Sequence, residues 1–130
     1  MTYQNSAVNP TQTIIGRSGD TIVGGGMRAL AFDESGELIV SSSDQAPMGI
    51  ALPDTEETVE IGTQITVAIK DIALWMSGGE FAPGDPIASD AAGYAVKAQA
   101  GAFIMGYALE AANTSGDIVP VQITKSGYQQ

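Results

Sequence analysis

The chain contains neither cysteine nor histidine among its 130 residues. Their absence excludes Ser-His-Asp triads, Cys-His dyads and thiolate or imidazole metal sites. It also excludes disulfides and thiol chemistry. Any catalysis would fall to Asp, Glu, Lys, Tyr, Ser or Thr. Basic residues are scarce as well: 5 Lys and Arg stand against 15 Asp and Glu, for a net charge of −10. Such a chain repels phosphate backbones, so nucleic acid is not an expected partner, and neither is an anionic membrane surface. No apolar run approaches the roughly 20 residues that cross a bilayer. No basic stretch followed by an apolar one opens the chain, so no signal peptide is expected. Large side chains are few: three Phe, four Tyr and one Trp, against 16 Gly and 18 Ala. Aromatics dominate core energetics. A chain this light is expected to gain apolar contacts from partners.

What the sequence does have is β patterning. In 58–70, TVEIGTQITVAIK, the residues Val59, Ile61, Ile65, Val67 and Ile69 all fall on odd positions. That period of two predicts a strand with one buried face, bent near Gly62. DIALW at 71–75 is expected to continue this strand or pair with it. MRALAFDESGELIVSSS at 27–43 reads as strand, turn, strand, with Asp33 to Gly36 turning. FAPGDPIASDAAGYAV at 81–96 is a second turn-rich pair, and GDIVPVQIT at 116–124 alternates again at Val119, Val121 and Ile123. Pro120 points the other way, which suggests an edge strand or the solvent side. GDTIVGGG at 19–26 reads as a flexible or crowded loop. It is no phosphate loop, since neither Lys-Ser nor Lys-Thr follows it. No segment of ten or more residues has a helical period. The expected class is all-β, a barrel or sandwich of short strands.

MGIAL at 48–52 returns as MGYAL at 105–109, 57 residues on. At the same spacing Ala31 falls on Ala88, Asp33 on Asp90 and Gly36 on Gly93. With a tip three residues shorter, Gly62 falls on Gly116, and Ile65, Val67 and Ile69 fall on Val119, Val121 and Ile123. The chain therefore reads as an internal duplication, with units of about 27–70 and 84–125. One such unit cannot bury its own apolar face, but two can. Residues 1–16 carry no charge and have no helical period. They are read as an extended N-terminal arm, and 17–130 as a single β domain. An arm of this kind can order on a partner by adding a strand.

The duplication also tests candidate sites. DESGE at 33–37 offers the carboxylates of Asp33, Glu34 and Glu37 to a Ca²⁺ ion. Its copy DAAGY at 90–94 keeps only the Asp and the Gly, so a turn explains what the two share. DTEETVE at 54–60 packs four acids into seven residues. Paired carboxylates can do acid–base work, but a charged, solvated hairpin tip is the simpler reading. No catalytic residue, metal ligand or cofactor is assigned, and the chain is read as not an enzyme. Trp75 is a core or subunit anchor, and Trp75 and Phe81 are the candidate subunit contacts.

The layout resembles the capsid decoration, or cement, proteins of tailed bacteriophages. The residues that carry the resemblance are MGIAL with VEIGTQITVAIKDIALW, then FAPGDPIASDAAGYAV, then IMGYALEAANTSGDIVPVQIT; it covers about 17–125. It implies a β-tulip-like fold, often a homotrimer, bound to the major capsid protein on the outer surface of the virion shell. It further implies an N-terminal arm ordering on the capsid, with Tyr3, Val8, Ile14 and Ile15 as candidate anchors. The mechanism would be mechanical: binding only the expanded lattice stabilises it by mass action against internal DNA pressure. Two other readings stay open. One is a virion-surface or secreted module that binds glycans or a host surface through Trp75, Tyr94 and Tyr107. The other is a carboxylate hydrolase, which would need two carboxylates converging in a pocket.

Overall fold

The structure, a computed structural model, describes residues 12–130. Twelve β-strands and no helix make up the described residues. In chain order they are β1 Thr13–Arg17, β2 Ile22–Val23, β3 Ala29–Phe32, β4 Leu38–Val40, β5 Gly49–Ala51, β6 Thr58–Val59, β7 Gln64–Ala68, β8 Asp71–Met76, β9 Pro86–Ser89, β10 Ala95–Lys97, β11 Phe103–Ala108 and β12 Ile118–Tyr128. They form two open five-stranded antiparallel sheets and a two-stranded ribbon. The architecture is a small sandwich rather than a closed barrel.

The sheets share one plan. Sheet 1 runs β1-β7-β5-β3-β4, and sheet 2, read from its other edge, runs β8-β12-β11-β9-β10. Even the smaller features recur. Ser18 bridges Leu38, and Ser77 bridges Ala95, both in parallel sense. The ribbon pairs Ile22 with Val59, while a single bridge joins Phe81 to Ala112. The Asp33 Oδ1 accepts from the N–H groups of Ser35 and Glu37, as Asp90 Oδ1 does from those of Ala92 and Tyr94. Each turn then ends on a glycine at positive φ, Gly36 at 81° and Gly93 at 83°. Glycine carries no Cβ penalty in that region.

Each sheet has an inner and an outer face. The inner face of sheet 1 is Leu30, Leu38, Ala51, Ile65 and Val67, closed by Ile22 and Val59 of the ribbon. The inner face of sheet 2 is Ala73, Trp75, Ile87, Ala95, Ala108, Val119, Val121 and Ile123, closed by Phe81 and Ala112. The same cluster takes in Ala29, Ile50 and Ala68, which the strand register aligns on the outer face of sheet 1. That part of the outer face of sheet 1 is thus buried against the inner side of the second half, while Ile15, Arg17 and Gln64 on the same face stay exposed. The glycines of the two pentapeptides permit the close strand spacing. A Cβ on Gly49 would lie 2.5 Å from the Ala68 carbonyl oxygen, and one on Gly106 only 2.1 Å from that of Gln122.

Several sequence expectations shift. The stretch 58–70 is not one bent strand. Gly62 takes φ of 86° and breaks it into β6 and β7, which leaves Ile61 65% exposed. The strand containing 71–75 pairs with β12, not with 58–70. GDTIVGGG contains β2 rather than loop alone. Pro120 sits in β12, a central strand between β11 and β8. Its carbonyl accepts from Leu109 N at 3.0 Å. Having no N–H, it cannot return that bond, and the β11 pairing ends at Ala108. Finally, residues 13–16 lie within β1, whose register with β7 runs from Thr13↔Ala68 to Arg17↔Gln64. The boundary of any arm therefore falls before Thr13.

Candidate interaction surfaces

The clustered acids are the candidates the sequence offers for acid–base chemistry. Asp54, Thr55 and Glu56 line a cavity of about 190 Å³ together with Val59, Thr63, Gln64, Ile65 and Thr66. Its other walls are neutral, so it holds no basic partner for a carboxylate. Asp33 spends its Oδ1 on its own turn, at 2.8 and 2.9 Å. Among the described residues, no group of three or more acids is placed to hold a metal ion. One ion pair occurs among them, Lys97 with Asp85 at 3.9 Å. Burial lowers the ammonium pKa of Lys125, which sits in β12 at a φ of 49°.

The aromatic candidates are mostly enclosed. Trp75 is fully buried, and its indole N–H donates to the Gly93 carbonyl at 2.9 Å. Phe81 is 7% exposed and exchanges two backbone bonds with Ala112. Both are core residues of a single chain, so a second copy does not reach them without opening that core. Tyr94 carries the Arg28 guanidinium 4.8 Å above its ring. Arg28 also donates to the Ala92 carbonyl from Nε at 2.9 Å and Nη2 at 2.7 Å, and to that of Val23 from Nη1 at 3.0 Å. This clamp ties the β9–β10 turn to the first half. Tyr107 is partly exposed on the outer face of sheet 2.

Of the candidate arm anchors, Tyr3 and Val8 lie outside the described residues. Ile14 and Ile15 are in β1. Ile14 packs against the inner cluster of sheet 1, and Ile15 is exposed.

The surface with the clearest binding chemistry is one that periodicity alone did not single out. In β8 the outward residues are Ile72, Leu74 and Met76, and opposite them in β12 stand Gln122, Pro120 and Ile118. Ile72 is 53% exposed, Leu74 42% and Ile118 50%. Leu109, also exposed, is bonded to Pro120 beside them. No charged side chain interrupts this face between Ile72 and Met76 or between Ile118 and Thr124. Contiguous exposed apolar surface of this kind marks an interaction site. The signal available in the sequence was the outward set of 71–76 and 116–124. β8 is apolar on the side away from its core, and β12 is apolar there at Ile118 and Pro120.

The described residues build an all-β sandwich with an exposed apolar face on β8 and β12, a surface suited to meeting another one. The family comparison says which kind of protein carries it. A family model described as phage cement protein matches residues 7–123, and the chain belongs to that family. It is accordingly a structural phage protein of the capsid surface. No curated protein matches it. Among solved structures, it is similar to the head fiber gp8.5 N base in bacteriophage phi29, with a TM-score of 0.69 at 21% identity over 91% of this chain and 98% of that one. At that identity the likeness concerns the fold.

Proposed function

We propose that the chain is a non-enzymatic cement that binds the major capsid protein on the outside of an expanded head, as a homotrimer, and braces the shell against internal DNA pressure. The observation that carries this is the family match over residues 7–123. The charge-free apolar face gives the protein something to bind with in spite of its net charge of −10. A ligand that binds only the expanded lattice stabilises that lattice by RT ln(1 + [L]/Kd), about 2.7 kcal/mol per site at a hundredfold excess over Kd. Summed over a shell, small site energies become a large mechanical resistance. In this reading residues 1–11 contribute to attachment, with Tyr3 and Val8 as their anchors. Ile14 and Ile15 act from β1, Ile15 as the exposed one.

The test is thermal. DNA-filled heads lacking the protein are heated with and without it, and DNA release is followed by dye fluorescence. Added protein is expected to raise the release temperature, and a chain lacking residues 1–11 to raise it less. An unchanged release temperature at saturating protein contradicts the bracing role.

A further inference from the structure

β8 is the outermost strand of sheet 2, and it lacks what keeps an open edge soluble. After Asp71 it carries no charged residue and no proline. Its copy β1 turns Thr13, Ile15 and Arg17 outward, whereas β8 turns Ile72, Leu74 and Met76. Toward its open side the Met76 N–H donates to the Met27 carbonyl at 2.9 Å, and Ile72 and Leu74 make no such bond among the described residues. An apolar edge left open is a template for aggregation, and proteins blunt such edges by covering them with a loop.

The chain itself leads to this edge. Gln12 is the first described residue. Its carbonyl accepts from the Ile69 N–H at 2.7 Å, and its side-chain amide donates to Asp71 Oδ2 at 3.3 Å. Residues 1–11 therefore join the domain beside the first residue of β8. Gln12 also lines a cavity of about 160 Å³ with Ile50, Leu52, Pro53, Ile72 and Leu74. Apart from Gln12, every residue of that lining is apolar. We infer that residues 1–11 of the same chain lie over the outer face of β8 in the free protein, with Val8 and Pro10 against Ile72 and Leu74 and across this cavity.

Reach, chemistry and tether select this occupant. At about 3.3 Å per extended residue, Val8 stands ~13 Å upstream of Gln12 and Leu74 ~10 Å beyond Asp71. Pro10 holds Asn9 extended and has no N–H that needs a partner. Residues 1–11 carry no charged side chain, so an apolar surface costs them little. A second copy would instead bring a net charge of −10 against a like-charged chain. A tethered segment acts at a high effective concentration, so a weak apolar contact is enough. The inference concerns the free protein and goes beyond the cement reading. Joined to that reading, it gives the arm two seats, β8 before attachment and the capsid after it, so that Val8 and the face of β8 are released together.

The chain has no cysteine, so one introduced thiol reports alone. Leu74→Cys is made in the full chain, in a chain lacking residues 1–11 and in a full chain that also carries Val8→Asp. Thiol reaction with a maleimide is timed in each, without heads. Ile15→Cys, exposed on β1, is the control. Near-ultraviolet circular dichroism of the buried Trp75 confirms the fold, and Val8→Asp keeps the comparison if the shortened chain does not fold. Leu74→Cys is expected to react about tenfold more slowly in the full chain, as when the cover is on about nine-tenths of the time. Val8→Asp is expected to abolish that protection, and Ile15→Cys to react alike in all three. The protection is expected to be the same at every protein concentration. Equal Leu74→Cys rates with and without residues 1–11 overturn the inference, as does protection that survives Val8→Asp. Protection that fades on dilution assigns the cover to a second copy and overturns it too. No head enters this experiment, so its failure leaves the cement reading standing, and a failure to bind heads leaves the covered edge standing.

Discussion

The two halves of the chain build the same sheet, in the same strand order, around opposite distributions of bulk. In the first half Gly16 faces Leu38, and a Cβ on Gly16 would lie 2.5 Å from Leu38 Cδ1. In the second half the same two places hold Trp75 and Ala95, both fully buried. The ribbon shows the same trade: Ile22 and Val59 in one half, Phe81 and Ala112 in the other. Large and small have exchanged sides while the backbone plan has stayed. Cores tolerate redistribution when total volume and patterning are kept. The turns differ in another way. Gly93 packs against the first half, where a Cβ would come 2.9 Å from the Ala29 carbonyl oxygen. A Cβ on Gly36 would meet nothing within 4 Å. The plan is therefore a property of the turns, the alternation and the two close-approach glycines. Side-chain size is free to follow the surroundings of each half.

Trp75→Ala breaks this contrast most severely. It removes the one large anchor of the second half and is expected to cost about 3–5 kcal/mol of stability. Leu38→Ala, its complement in the first half, is expected to cost about 2–5 kcal/mol and less than Trp75→Ala. Urea melts of both, read by far-ultraviolet circular dichroism, check the order. Next comes the pair of turn glycines. Gly36→Ala is expected to cost about 1 kcal/mol, the penalty of a left-handed backbone alone. Gly93→Ala adds overpacking against Ala29, another 1–3 kcal/mol or about that. Equal losses at the two sites, by thermal melting, would show that the turns are equivalent after all. The smallest effect is expected from Arg28→Leu. The Ala92 carbonyl loses its charged donor, at a cost of about 1–2 kcal/mol after allowing for partial exposure. Faster amide hydrogen exchange around 90–94 should accompany it, with β7 unchanged.

Much of this was legible in the sequence, and the misses share a cause. Asp33 and Gly36 announce a turn because one supplies a carboxylate to cap it and the other the positive φ. The alternation at Ile65, Val67, Val119, Val121 and Ile123 announces half-buried strands. The paired pentapeptides announce two copies. What escaped was decided by contacts distant in sequence. β1 hid in an uncharged segment because its outward residues are partly polar, although Ser18-Gly19 and Ser77-Gly78 repeat and would have carried the unit upstream to it. β2 is only Ile22 and Val23, too short for any period. Ile61 kept the odd-position rhythm, yet Gly62 turns the chain and leaves it in solvent. Trp75 read equally as a core or a subunit anchor, and only the distant Gly93 carbonyl, which accepts from its indole N–H, decides for the core. The apolar outer face of β8 and β12 becomes visible only when the two strands are set side by side, their paired residues 42 to 52 positions apart, and compared with β1 and β7.

The most direct measurement is co-sedimentation of the full chain with empty heads of its own phage, expanded in one tube and unexpanded in the other. The account expects saturable binding at a fixed stoichiometry to the expanded heads and little to the unexpanded ones. Protein left in the supernatant of the expanded heads at every concentration would contradict it.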